Sequence, residues 1–247
     1  MLAGCEAWSH AAGASTGVLV VHGFTGTPAS VRGVAEAIAA AGFDVELPRL
    51  PGHGTTIDDM LTTDWGAWSG EVARVYDALS ARVSTVVLVG QSMGGTLALS
   101  AALERPVAGI VCINPLTRPR DGDTMAMLDD FLDDGIAVVP GEGSDIADPD
   151  GSDIAYPGTP LAPLKSLLAD GVAPITRRFH ELMMPMRLFT SRNDHVVEPA
   201  DSEHLATTYG GPVAHTWLER SYHVATRDYD RELINTESVA FVAKVGS

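Results

Sequence analysis

The chain has 247 residues, of which 45% are hydrophobic, and its 32 aspartates and glutamates against 16 lysines and arginines leave a formal charge of -16. That charge repels phosphate backbones and anionic headgroups at long range, which argues against a nucleic-acid partner. The length and apolar content suit one α/β domain that carries an insertion.

The cysteines and the N-terminal residues bear on where the protein works. Cys5 and Cys112 make no disulfide framework and no zinc-ligand spacing. The N-terminal residues lack the basic and apolar regions of a signal peptide, and no run approaches the roughly 18 apolar residues of a membrane span. We therefore expect a soluble, cytoplasmic protein without a metal or other cofactor.

Short apolar runs alternate with amphipathic segments along the first half of the chain. Apolar runs without period-two alternation predict strands covered on both faces, and a 3.6-residue period predicts crossover helices. The predicted strands are 17–21, 43–47, 85–89 and 107–113, and the predicted helices are 28–41, 64–82 and 93–104. This alternation predicts an α/β fold with a mostly parallel central sheet and helices on both faces.

The alternation stops near Leu116 and resumes with strands 186–190 and 213–218 and helices 199–209 and 229–245. An insertion at the carboxyl edge of a parallel sheet lies over the ligand crevice. We therefore predict a core of residues 1–116 and 185–247, with residues 117–184 inserted as a cap, or lid. The tandem GSDIADPD and GSDIAYPG at 143–158 is interpreted as a solvated, turn-rich loop.

The turn between predicted strand 85–89 and helix 93–104 reads Gly90-Gln91-Ser92-Met93-Gly94. No lysine follows its last glycine as in a Walker loop, and the G-x-G-x-x-G of a dinucleotide site is missing. G-x-S-x-G is typical of a nucleophile elbow, where small residues two before and two after the serine permit a strained backbone. Ser92 is thus the predicted nucleophile. The alternative is a close-packed turn with an incidental serine.

A serine hydroxyl needs a histidine base and a carboxylate that orients the base. His223 follows the last predicted strand and precedes the final helix, so its loop can reach back over the elbow. Asp194 follows strand 186–190 and is the predicted carboxylate, with Asp201 as the weaker alternative. His195 also competes as the base, but a structural role beside Asp194 is the favoured interpretation.

Two backbone N–H groups are expected to form the oxyanion hole. Met93 follows the nucleophile and supplies one, and Phe24 in the glycine-rich loop 22–27 supplies the other. His22 is expected to fix this loop through hydrogen bonds, and His53 to brace a neighbouring one.

These residues belong to segments that together carry a resemblance. The segments are HGFTGTP at 22–28, LPRLPGHGT at 47–55, GQSMGGT at 90–96, NDHVV at 193–197 and SYHVATRDYD at 221–230. The chain thereby resembles the bacterial monoacylglycerol lipases and similar carboxylesterases of the α/β-hydrolase fold. The departures are Gln91, where relatives often carry an apolar residue, and the cap.

The resemblance implies a serine hydrolase with Ser92, Asp194 and His223 as its triad, no cofactor, and a small mobile cap after the sixth strand. It also implies cleavage of monoacylglycerols to fatty acid and glycerol through an acyl-enzyme. The alternative is a general short-to-medium-chain carboxylesterase or thioesterase.

Other classes fit the residues less well. Haloalkane dehalogenases and epoxide hydrolases carry an aspartate at the elbow, where this chain has Ser92. An amidase would use the same triad. A non-catalytic ligand-binding or scaffold protein on this fold should have lost a triad residue, and none is missing.

The cap is expected to choose the substrate, which is a small lipid ester. Apolar residues at 125–132 and 136–139, Met127 among them, either line an acyl channel or pack the cap onto the core. Asp153 and Asn114 are predicted to bind the glycerol hydroxyls. We expect a monomer or homodimer that contacts lipid surfaces only transiently, through the cap.

Overall fold

A seven-stranded sheet and a separate two-stranded hairpin make up the strands of the computed structural model, which describes residues 1–141 and 144–246. The strands are β1 (Trp8–His10), β2 (Thr16–Val21), β3 (Asp44–Leu47), β4 (Thr85–Gln91), β5 (Gly109–Ile113), β6 (Val138–Pro140), β7 (Gly158–Pro160), β8 (Met186–Ser191) and β9 (Val213–Leu218). The helices are α1 (Pro28–Ala40), α2 (Ile57–Leu61), α3 (Trp65–Ser80), α4 (Met93–Glu104), α5 (Gly122–Asp133), α6 (Leu161–Ser166), α7 (Ala173–Thr176), α8 (Pro199–Thr208) and α9 (Arg231–Val245).

The large sheet has the order β1-β3-β2-β4-β5-β8-β9 and is parallel except for β1, which pairs antiparallel with β3. This confirms the predicted mostly parallel α/β fold. The edge strand β1 is short and half exposed, so it carries no apolar run that would have predicted it.

Both faces of the sheet are covered by helices. Val87 and Val89 of β4 join one buried cluster with residues of α1 and α9, whereas Leu88 joins the opposite cluster with residues of α3 and α4. Successive side chains of a strand point to opposite faces, so a continuous apolar run is what a doubly covered strand requires.

Local signals set the helix starts that the sequence predicts. Thr27 caps α1, its hydroxyl oxygen accepting a hydrogen bond from Ala29 N at 3.3 Å, and Pro28 follows as the first helical residue. Asp64 caps α3 in the same way through Ala67 N at 2.9 Å. These caps hold the helices that flank the loops of the site.

The chain leaves the sheet after β5 and returns at β8, so the predicted cap boundaries fall between these two strands. The expectation of a cap after the sixth strand was wrong, because only the short β1 precedes β2 and the insertion follows the fifth strand in chain order. The insertion contains α5, the β6–β7 hairpin, α6 and α7, and its Leu128 and Phe179 are buried in the same cluster as α3 and α4.

Residues 144–156, here called the strap, are bound to the core by hydrogen bonds; Gly143, which opens the tandem, lies outside the described residues. The Asp228 carboxylate accepts from Ala147 N at 2.7 Å and from Asp148 N at 3.0 Å. The Tyr156 hydroxyl donates to the Gly52 carbonyl at 2.7 Å. The segment is an irregular loop, as the sequence indicates, but it is only partly solvated, because it is bonded to distant parts of the chain.

Within residues 1–141 and 144–246, no helix combines the length and apolar character that crossing a membrane requires. The same residues contain no group of three or more histidine, cysteine or acidic side chains placed to hold a metal ion.

Candidate active site

Ser92 stands at the sharp turn between β4 and α4 with a backbone φ of 55° and ψ of −123°. This is a strained conformation for a residue with a side chain, and the surrounding structure holds it. Ser92 N donates to the Ile113 carbonyl at 2.9 Å. An added Cβ at Gly90 would lie 2.1 Å from the Gly94 carbonyl oxygen, so the turn needs glycine there.

His223 and Asp194 form a close pair beside the elbow. His223 Nδ1 lies 2.8 Å from Asp194 Oδ2, and the two side chains are only 9% and 2% exposed. Asp194 Oδ1 accepts from Val196 N at 2.9 Å and Val197 N at 2.8 Å, which fixes the carboxylate. Because a carboxylate accepts the Nδ1 proton, the neutral ring presents an unprotonated Nε2. Ser92 and His223 line the same cavity.

The backbone of His223 is held from both sides. Its carbonyl accepts from Asn114 Nδ2 at 2.8 Å and from Gln91 Nε2 at 3.4 Å, and its N–H donates to Asp145 Oδ2 at 3.1 Å. Gln91 Oε1 in turn accepts from the Thr226 hydroxyl at 2.6 Å. Gln91, the departure at the elbow, thus ties the nucleophile turn to the histidine loop, a role that the motif alone does not indicate.

Asn114 does not occupy the position that the sequence analysis predicted for it. It is 1% exposed, has a left-handed φ of 44°, and is not among the residues that line the cavity. Its Oδ1 accepts from Ser191 N at 2.7 Å, and its Nδ2 donates to the His223 carbonyl. The assignment of Asn114 to substrate is therefore withdrawn, because its amide joins β5, β8 and the histidine loop.

The loop expected to supply the oxyanion hole lies directly against Ser92. A Cβ added at Gly23 would lie 3.1 Å from Ser92 Cβ and 3.7 Å from Ser92 Oγ. The next residue, Phe24, lines the cavity, and its ring packs edge-on against Trp68 with the centroids 5.7 Å apart. Met93 is the first residue of α4 and fully buried.

Two buried histidines brace this loop and the neighbouring one, His22 the first and His53 the second, as the sequence analysis expected. His22 Nε2 accepts from Leu50 N at 3.1 Å, and His53 Nδ1 lies 2.9 Å from the Pro51 carbonyl oxygen. Burial lowers the pKa of His22 well below its ordinary value and that of His53 to about 4. Both rings are neutral near pH 7 and act as hydrogen-bonding braces.

A cavity of about 670 Å³ opens over Ser92 and has chemically different sides. Its apolar lining comes mostly from the insertion and includes Met127, Leu128, Leu164, Leu167 and Leu168. Leu167 begins a π-helical turn, Leu167–Val172. The predicted apolar set serves both purposes: Met127 lines the cavity, Leu128 lines the cavity and belongs to the core cluster, and Met125, Phe131, Leu132 and Val139 pack against that cluster.

The polar side of the cavity contains Asp153 and Ser30. The Ser30 hydroxyl lies 2.8 Å from Asp153 Oδ2 and 3.0 Å from Oδ1. Burial raises the pKa of the Asp153 carboxyl above its ordinary value. A hydrogen-bonding carboxyl is therefore available inside a mostly apolar cavity, where an unmatched polar group is costly.

The two competing residues of the sequence analysis have other partners. His195 is exposed, and its Nδ1 lies 2.8 Å from Asp145 Oδ1. Asp201 is fully buried and accepts from Thr117 N and Arg118 N, both at 2.9 Å, at the start of the insertion. Asp201 is thus bonded to the start of the inserted segment, and Asp194 is the carboxylate that contacts His223.

A strained serine at a strand-to-helix turn, a histidine bound to a buried carboxylate and a parallel sheet covered on both faces define an α/β-hydrolase. The profile of the alpha/beta hydrolase family matches residues 18–238. The chain belongs to this family.

Known proteins resemble the chain over nearly its whole length. It is 39% identical to a thermostable monoacylglycerol lipase of Bacillus sp. (strain H-257), over 99% of this chain and 96% of that protein. It is 25% identical to a carboxylesterase of Bacillus subtilis (strain 168), over 94% of each. A solved structure from work on LipS and LipT, two metagenome-derived lipolytic enzymes, superposes with a TM-score of 0.92 at 39% identity and covers 99% of both chains.

Proposed function

We propose that this chain is a serine ester hydrolase that cleaves monoacylglycerols to fatty acid and glycerol. The observation that carries the proposal is Ser92 at the strained elbow, in one cavity with the Asp194-bound His223. The identity to a monoacylglycerol lipase over nearly the full length supports the choice of substrate.

In the acylation step, Ser92 Oγ attacks the ester carbonyl carbon while His223 Nε2 takes the hydroxyl proton. The carbonyl oxygen becomes an oxyanion, which the backbone N–H groups of Phe24 and Met93 hold. The bond to the glycerol oxygen then breaks, and glycerol leaves with the proton from His223. The product on the enzyme is an acyl ester of Ser92.

Deacylation repeats these steps with water as the nucleophile. His223 takes a proton from the water, the oxyanion forms again, and the fatty acid leaves as Ser92 recovers its proton. Asp194 keeps the proton of His223 on Nδ1 and stabilises the imidazolium that forms in each half-reaction.

The two sides of the cavity match the two parts of a monoacylglycerol. The leucines and Met127 of the insertion suit an alkyl chain, and methionine adapts to chains of different shape. Asp153, with Ser30, suits the free hydroxyls of the glycerol group. Substrates without these hydroxyls would leave Asp153 incompletely paired, which is an effective source of selectivity.

A general short-to-medium-chain carboxylesterase or a thioesterase is the second candidate, since the same triad serves other leaving groups. The similarity to the Bacillus subtilis carboxylesterase favours the esterase.

Two observations support a proposal for the compartment in which the enzyme works and for its contact with lipid. Cys5 and Cys112 are both unpaired and buried, which suits the reducing cytoplasm. Met127 is 48% exposed beside the cavity, which suits brief contact of the cap with a lipid surface. The chain is proposed to act as a monomer or homodimer.

The test is a set of initial rates on monoacylglycerols and p-nitrophenyl esters of matched chain length, with Ser92→Ala as the blank. We expect a clear preference for monoacylglycerols and a loss of at least about a thousandfold in turnover for Ser92→Ala, with the fold unchanged. Turnover near wild type in Ser92→Ala would reject the hydrolase. No preference for monoacylglycerols, with a short-chain optimum, would support the carboxylesterase.

A further inference from the structure

Asp145 belongs to the strap, yet its side chain contacts both loops that carry the proposed acid and base. Its Oδ2 accepts from His223 N and from His195 N, each at 3.1 Å. Its Oδ1 lies 2.8 Å from His195 Nδ1. His195 directly follows Asp194. The Asp145 carboxylate therefore joins the backbone of the loop that carries Asp194 to the backbone of the loop that carries His223.

The two backbone groups of His223, its carbonyl and its N–H, are held by different parts of the chain. The carbonyl of His223 is held at 2.8 Å by Asn114, which belongs to the core. The N–H is held by Asp145, which belongs to the insertion. With both backbone groups fixed, the plane from which the imidazole projects is fixed as well, and small displacements of a catalytic group cost large factors in rate.

We propose that Asp145 is a positioning residue, through which the cap holds His223 and Asp194 in register for catalysis. The inference rests on the proposed function, since it gives the insertion a second role beside substrate binding. Asp145 also lines the cavity, but both of its carboxylate oxygens are engaged by His195 and His223, so its proposed effect on the reaction runs through the backbone of His223 and the loop of Asp194.

The strap has bonds to the core that do not involve the Asp145 side chain, which makes the inference testable. Val224 N donates to the backbone carbonyl of Asp145 at 3.0 Å, a bond that any residue at this position keeps. The Asp228 carboxylate holds Ala147 N and Asp148 N independently. Removing the carboxylate is therefore expected to remove the contacts to His223 and His195 and to leave the path of the strap unchanged.

The experiment compares three variants on a short-chain p-nitrophenyl ester, which makes little use of the acyl channel. Asp145→Ala removes the acceptor of both N–H groups. Asp145→Asn can place its carbonyl oxygen where Oδ2 stands and so keep both bonds without the charge. Asp150→Asn is the matched control, because Asp150 is an exposed aspartate of the same strap.

We expect Asp145→Ala to lower kcat by about ten- to a hundredfold, with KM changed by less than about twofold. Asp145→Asn should stay within about threefold of wild type, as Asp150→Asn should. The downfield proton resonance of the hydrogen bond between His223 Nδ1 and Asp194 should shift or broaden in Asp145→Ala and persist in Asp145→Asn.

A rise in KM at unchanged kcat would overturn the inference, because it would place Asp145 in substrate binding. Equal losses in Asp145→Asn and Asp145→Ala, or a comparable loss in Asp150→Asn, would also overturn it. If Ser92→Ala still hydrolysed the ester, the proposed function would fail instead, while the proton resonance would still show whether Asp145 positions His223.

Discussion

A Cβ added to Gly94 would lie 2.1 Å from the carbonyl oxygen of Val21 at the end of β2. The added carbon would meet a backbone oxygen of the neighbouring strand, so no side-chain movement would relieve the clash. The elbow thus depends on the approach of α4 to the sheet as well as on the backbone conformation of Ser92, and the G-x-S-x-G pattern reflects both requirements.

Gly94→Ala is expected to lower the free energy of unfolding by at least about 2 kcal/mol, because the added methyl group meets backbone atoms. Urea unfolding followed by circular dichroism measures it. Gly70→Ala is the matched control: Gly70 is an exposed residue of α3, and an added Cβ there meets nothing within 4 Å. That variant should gain about 0.5–1 kcal/mol from the better helix propensity of alanine. Equal effects of the two substitutions would contradict the packing argument.

Asp194 and Asp201 were the two candidates for the carboxylate that orients His223, and substituting them should have different effects: loss of activity for Asp194 and loss of stability for Asp201. Asp194→Asn should lower kcat by at least about a thousandfold, because an amide cannot hold the working tautomer of His223 or stabilise its imidazolium. Asp201→Ala should leave kcat within about threefold of wild type and cost about 1–3 kcal/mol of stability, since Thr117 N and Arg118 N lose their acceptor. Steady-state kinetics and urea unfolding on both variants check this. A large loss of kcat in a folded Asp201→Ala would restore Asp201 as a candidate acid.

The ion pair between His195 and Asp145 should stabilise the fold most at mildly acidic pH. Its hydrogen bond and charge raise the pKa of His195 above the ordinary 6.5. A raised folded pKa means that the stabilisation is complete below the unfolded pKa and is lost as the pH rises through the folded pKa. The wild type should therefore exceed His195→Gln in urea midpoint at about pH 5.5 and match it more closely at about pH 9.

Asp145→Asn should lower the urea midpoint with the same pH dependence as His195→Gln, because it removes the other partner of the same ion pair. In the double variant the two pH-dependent losses should not add, since neighbouring residues share one interaction. A difference from wild type that grows with pH would contradict this assignment.

Asp153→Ala tests whether the polar side of the cavity recognises glycerol. The kcat/KM for a monoacylglycerol should fall by about tenfold more than that for the methyl ester of the same acid, because only the first has hydroxyls to pair with Asp153. Rates on both esters at one chain length measure it. Equal changes for the two substrates would remove Asp153 from recognition.

Much of the fold, and the main residues of the candidate site, can be predicted from short segments of the sequence. The apolar run 85–89 and the glycines around Ser92 act within a few residues, and each predicts its element correctly. The caps at Thr27 and Asp64 are local as well. The order of strands along the chain then brings Asp194 and His223 to the same edge of the sheet as Ser92, because the carboxyl ends of parallel strands meet there.

Only the tertiary structure decided how these residues are held. Asn114 reads as a polar residue after a strand, and only the fold shows that it holds His223, 109 positions away. Asp145 lies 78 positions from His223 in a segment whose composition is typical of a loop. Every residue except proline offers the same backbone N–H and carbonyl, so hydrogen bonds between distant segments leave no pattern in the sequence, whereas strands, helices and the glycine turn do.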